Sequence, residues 1–88
     1  MLALSVKAQT FSLHGRVTDN NGLPVEFCTV AIPSQGKMTM TNLKGEYSLT
    51  GSSADSVAVR FSMIGFQSKT RIFRNPKGNL TLTVQLSE

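Results

Sequence analysis

Tryptophan is absent from this chain, tyrosine, histidine and cysteine each occur once, and only five residues are acidic. Each scarcity removes a class of function. A single cysteine, Cys28, has no partner in the chain for a disulfide. One histidine, His14, and one cysteine fall short of the three or four ligands that a zinc site needs, so no metal or other cofactor is expected. Asp19, Glu26, Glu46 and Asp55 lie in or beside different turns and strands, which leaves no carboxylate pair for general acid and base catalysis. The nine Lys and Arg residues outnumber the acids and set a net charge of +4. No two of them are adjacent, so there is no basic arm for nucleic acid. No run after Ala8 is long and apolar enough to span a bilayer.

The chain does have the makings of a small folded unit. Its 88 residues suit one domain, near the size at which a single core is just adequate without staples. The first stretch, "MLALSVKA", differs from the rest of the chain. Met1 to Val6 is apolar, and Val6-Lys7-Ala8 places small or tolerated residues where a signal peptidase cuts. A full signal has a basic start and about 7 to 15 apolar residues. Residues 1–8 are therefore read as the tail of a signal peptide whose beginning is missing, and residues 9–88 as the domain.

From Gln9 on, apolar residues recur with a period of two. "TFSLHGRVTD" alternates Phe11, Leu13 and Val17 against Ser12, His14 and Arg16, the pattern of a half-buried strand. "NNGLP" then supplies turn chemistry, with Asp19 capping its own turn through backbone hydrogen bonds. "VEFCTVAI" reads as a strand with Cys28, Val30 and Ile32 on one face and Phe27 and Ala31 on the other. "KMTMT" is a short strand in which Thr39 and Thr41 alternate with Met38 and Met40. After a turn through Gly45, Tyr47 and Leu49 fall in phase for the core. Val57, Val59, Phe61 and Met63 line one strand, "FQSKTRIF" makes a less regular one, and Leu80, Leu82, Val84 and Leu86 line the last. The pattern predicts seven short strands at near-regular spacing with no helical period, hence an all-β sandwich. Gly65 ends the row Val57–Met63, where a bend or a positive φ lets Phe66 turn back toward the core.

In this order the motifs resemble those of the carboxypeptidase-regulatory-like domain. The family pattern runs Gly-x-Val-x-Asp-x-x-Gly-x-Pro, then Thr-Asp-x-x-Gly-x-Tyr/Phe-x-Leu, then a strand closing in Ile/Val-Gly-Tyr/Phe, then a last apolar strand. Gly15, Val17, Asp19, Gly22, Pro24, Gly45, Tyr47, Leu49, Gly65 and Phe66 occupy its positions, and the likeness covers Phe11 to Leu86. Two positions depart from it: Asn42 stands where the family usually has Asp, and Cys28 where it usually has a small Ala. The resemblance implies a transthyretin-like (prealbumin-like) sandwich without catalytic residues. In Bacteroidetes-type bacteria such domains commonly stand at the N-terminus of TonB-dependent outer-membrane transporters, after the signal peptide and before plug and barrel. Others sit beside exported peptidases as regulatory or folding-aid modules. The resemblance thus implies a periplasmic accessory domain whose partners are other proteins or the rest of its own polypeptide.

Rival functions leave weaker traces. Hydroxyisourate hydrolase, which resembles transthyretin, carries several active-site histidines and a Tyr-Arg-Gly-Ser motif, whereas this chain has His14 alone and no such motif. A second rival is a ligand-binding sandwich, for carbohydrate or peptide; carbohydrate platforms usually show exposed aromatic residues, but Tyr47, Phe61 and Phe66 are in phase with core rows. His14 falls on the polar side of its strand and reads as a solvated surface residue. Cys28, in phase with Val30 and Ile32, reads as a small buried hydrophobe rather than a nucleophile. Arg60, Lys69, Arg71, Arg74 and Lys77 could gather on one face to meet an acidic partner, but scattered surface charge is the default. No catalytic, cofactor-binding or metal-ligating residue is therefore assigned. When a complete signal precedes the chain, the exported protein should begin at Gln9. Mass analysis of the secreted N-terminus checks this, and a retained Met1 contradicts it.

Overall fold

The computed structural model describes residues 9–88, so the reading of residues 1–8 as a signal remnant lies outside the described residues. Eight strands run in order: β1 (Thr10–Thr18), β2 (Thr29–Ile32), β3 (Lys37–Met40), β4 (Glu46–Ser52), β5 (Ser56–Ser62), β6 (Lys69–Arg74), β7 (Gly78–Thr81) and β8 (Val84–Gln85). A 3-10 turn, Pro33–Gln35, links β2 to β3. The strands form two sheets. One has the order β4-β1-β7, with β8 also on β1, and the other the order β3-β2-β5-β6. All pairs are antiparallel except those of β7 and β8, which run parallel to β1.

Each expected apolar row turns inward. Phe11, Leu13 and Val17 from β1, Val30 and Ile32 from β2, and Val57, Val59 and Phe61 from β5 are all buried, with Cys28, Val84 and Leu86 among them. Tyr47 meets Phe61 edge to face across the sandwich, with ring centroids 5.5 Å apart. That arrangement suits the ring quadrupoles and ties the two sheets together. Burying these rows between two layers is the main source of stability for so small a chain.

The last apolar run is divided, where the alternation predicts one continuous strand. Leu13 pairs with Leu80 and Val17 with Val84, the same register on both sides of the gap, so the strand has not slipped. Its ladder opens between Thr81 and Val84. There the Tyr47 hydroxyl donates to the Leu82 carbonyl at 2.7 Å, while the Leu82 N–H donates to the His14 carbonyl. The Leu82 carbonyl lies so close to Gly15 that any Cβ at this position would overlap its oxygen. Leu80 and Leu82 are in consequence only partly buried, and Val84 and Leu86 carry the core contribution of the run.

The second strand is also shorter than the reading from Val25 predicts. Val25 to Cys28 forms an irregular entry to β2 with Phe27 at φ +57°. Met63 lies just beyond the end of β5, and with Phe66 it packs against the core as a partly buried residue. Gly65 between them has φ +90°, and the Phe66 N–H donates back to the Met63 carbonyl, so the expected corner is there. Two glycine substitutions should then differ in size. Gly65→Val, open around the Cβ but strained in φ, should cost on the order of 1–3 kcal/mol. Gly15→Ala must displace a backbone carbonyl and break the Tyr47 bond, and should cost about 3 kcal/mol or more. Urea midpoints of the two variants check the order.

Candidate interaction surface

The two outward sheet faces differ in chemistry. On the β4-β1 sheet, Ser12 pairs with Thr50, His14 with Ser48 and Arg16 with Glu46, and all of these side chains are polar. The His14 ring and the Ser48 hydroxyl lie 3.2 Å apart on this exposed face. A base beside a hydroxyl is half of a nucleophilic site, and Ser48 also borders an open depression of about 290 Å³ with Thr39, Met40, Asn42, Glu46 and Tyr47, which brings no second base or acid pair to the hydroxyl.

The outer face of the β3-β2-β5-β6 sheet mixes apolar side chains, Ala31, Met38, Met40, Ala58 and Ile72, with the hydroxyls of Thr29, Ser56, Ser62 and Thr70 and two arginines. In register, Met40 aligns with Thr29 and Ser62, Met38 with Ala31 and Arg60, and Ala58 with Ile72. Small residues of β2 and β5 thus form a floor. Met38 and Met40 on one side and Ile72 on the other rise above it, each more than half exposed. Phe27 and Ile64 stand at one end, bordering a shallow open depression of about 480 Å³ that Thr29, Ser62 and Met63 complete. Of the outward positions in these four strands only Arg60 and Arg74 are charged, and none is acidic. Alternating Thr and Met in β3 left open which side faces the core. The structure turns the threonines in and the methionines out.

Thr41 shapes the end of this face. Its hydroxyl accepts the Cys28 N–H at 2.8 Å and donates to the Val25 carbonyl at 2.6 Å, and the Thr41 carbonyl accepts the Phe27 N–H at 3.1 Å. Thr41 is the buried polar residue of the core. The Thr41 N–H also donates to the Cys28 carbonyl at 2.9 Å, and these four bonds hold Val25–Cys28 off the regular strand path, with Val25 and Cys28 pointing inward and Phe27 53% exposed. A bulky residue at positive φ is strained, and such strain persists only where the surroundings impose it. The sequence placed Phe27 on the face opposite Cys28, Val30 and Ile32 without saying which face is outer, and it gave no sign of Thr41. An alternating threonine gives no sign that its hydroxyl is buried.

The other residues of interest stay apart. Asp19 Oδ1 accepts the Asn21 and Leu23 N–H groups, as its turn requires. Asn42 uses its side-chain oxygen in the same way, accepting from Lys44 and Glu46, so the amide fills the position where the motif has Asp. Cys28 is buried, and burial raises its thiol pKa, which leaves it a packing residue. Burial likewise pushes the Tyr47 phenol up to about 12. The basic residues do not gather. Lys69 and Arg71 align with Phe61 and Val59 on the inward side at the sheet edge, where the Lys69 ammonium donates to the Gln85 carbonyl. Among the described residues no three His, Cys, Asp or Glu side chains form a metal-binding group.

The family model described as "CarboxypepD_reg-like domain" matches residues 13–88. No curated protein matches the chain. Among solved structures, chlorocatechol 1,2-dioxygenase from Pseudomonas putida is similar with a TM-score of 0.74 at 8% identity, over 100% of this chain and 64% of that one. Catechol 1,2-dioxygenase from Acinetobacter sp. ADP1 gives 0.71 at 11% identity, over 94% and 54%. The enzyme from Acinetobacter radioresistens gives 0.69 at 13%, over 93% and 53%. The chain spans only about half to two thirds of these proteins, and at such identities the likeness is one of fold. If strain at Phe27 serves the surface rather than the core, Phe27→Asn should leave stability equal to or above that of the parent chain, because Asn tolerates this backbone region. Thermal denaturation checks this. A marked loss of stability would make Phe27 a core residue instead.

Proposed function

Since the chain belongs to the CarboxypepD_reg-like domain family, whose members are non-catalytic β-sandwiches, we propose that it catalyses nothing itself and serves as an interaction domain of an exported protein. The protein it best fits is a TonB-dependent outer-membrane nutrient transporter, with this domain as the periplasmic extension ahead of plug and barrel. The observation that carries the reading is the contrast between the two outer faces. A free-standing sandwich has both outer faces in water, and the β4-β1 face meets it with paired Ser, Thr, His, Arg and Glu side chains. The opposite face sets Met38, Met40 and Ile72 in the open, which suits a domain that meets another protein.

The apolar start of the chain and its Val6-Lys7-Ala8 step support export. The order of motifs from Gly15 to Phe66 supports the transporter setting, since domains of this pattern commonly stand there. In that role the fold is a rigid spacer with a sticky face, and the nutrient site belongs to the barrel. No cofactor enters the reading.

Deleting residues 9–88 from the parent protein should impair uptake or assembly while leaving nutrient affinity of the assembled barrel unchanged. Transport assays beside binding measurements on the purified parent protein check this. A parent gene with no plug and barrel downstream, or a deletion with normal uptake and assembly, would overturn the transporter reading.

A further inference from the structure

We propose that the outer face of the β3-β2-β5-β6 sheet docks a protein segment that is apolar and acidic, with a carboxylate of the partner set against Arg60. The proposal rests on the reading of the chain as an interaction domain and adds the chemistry of the partner. The groove geometry comes first. Thr29, Ala31, Ala58 and Ser62 are short, so the middle of the face lies low between the methionines of β3 and Ile72 of β6. Methionine is flexible and polarizable, and adapts to an apolar surface better than a branched side chain does. At one end the exposed Phe27 ring, held outward by the Thr41 hydrogen bonds, supplies an aromatic anchor of the kind that dominates interface energetics.

Charge selects among the possible occupants. Arg60 projects from the floor itself, in register with Ala31 and Thr70, and its guanidinium donates to Ser68 Oγ at 3.3 Å. One such bond leaves most of its five N–H donors free, and the planar fork matches a carboxylate in two places at once. Once a partner covers the apolar walls, Arg60 lies in a partly dry groove and must be matched or left as an uncompensated charge. The other charge on the face, Arg74, has the same sign. A second copy of this chain would bring two more arginines to the contact, which disfavours self-association through this face. A segment alternating apolar and acidic residues meets both the walls and the floor.

The test uses the 88-residue chain with ¹⁵N amides and ¹³C-methyl methionines, titrated with an acetylated decapeptide alternating valine and glutamate. A valine–lysine decapeptide of the same length is the control. Expected are chemical-shift changes at Met38, Met40, Ala31 and Arg60, with Ser12, His14, Ser48 and Thr50 unmoved, and at least fivefold weaker binding of the lysine peptide. Arg60→Glu should invert the preference between the peptides, and Arg60→Gln, which leaves Arg74 as the one charge on the face, should reduce it at least twofold. Shifts centred on the polar face would overturn the proposal. So would equal binding of both peptides, no binding of either at millimolar concentration, or dimerisation of the chain through the methionine face without peptide. Because the titration needs no parent protein, a failure here is separate from a failure of the transporter reading, which the deletion experiment addresses.

Discussion

The fold turns on the closure of β1 from both sides at Gly15. β4 flanks β1 on one edge and the C-terminal run flanks it on the other, and at this point the two flanks meet through the Tyr47 hydroxyl and the Leu82 carbonyl. The bond forms only because Gly15 has no side chain to keep the carbonyl away. It joins residues 35 apart and brings the far end of the chain against its first strand. Contacts this distant in sequence carry a loop-closure cost, which the burial of Leu13, Val17, Val84 and Leu86 around the junction offsets.

With β1 closed on both edges, the second sheet has one inner layer to cover. Phe61 reaches Tyr47, and the rows of β2 and β5 fill the space between the sheets. What remains of the second sheet is its outer side, on which no core demand acts. Residues there are free to be polar, and on the first sheet they are. That the second sheet instead carries Met38, Met40 and Ile72, and holds Phe27 in a strained conformation to present its ring, is an expense in solvation and backbone energy that stability alone does not explain.

The likeness to catechol dioxygenases, at 8% to 13% identity, is one of fold. Two-layer sandwiches of this kind leave their outer faces and loops unconstrained by the core, so one architecture can carry unrelated functions. In this chain the side chains with chemical potential are dispersed. His14 lies on a flat polar face, Cys28 is sealed in the core, and the carboxylates of Asp19 and Glu46 sit beside separate turns.

The sequence by itself determined the class of the fold, the inward rows and the turns. A period of two with Gly, Asn and Pro between runs has few other outcomes, and the Asp19 turn and the Gly65 corner follow from local backbone preferences. Three things needed tertiary structure. The break at Leu82 depends on a hydroxyl that arrives from Tyr47 on β4, and no local pattern in "LTLTVQL" encodes it. The inward turn of Thr41, and with it the outward turn of Phe27, depends on which side of β3 the neighbouring strand buries, since Thr and Met alternate with either phase equally well. The candidate surface depends on register across four strands. Ala31, Arg60, Met38 and Thr70 are scattered through the sequence and become neighbours only when antiparallel pairing lines them up, because side chains on one sheet face are collected by hydrogen-bond register and not by order along the chain.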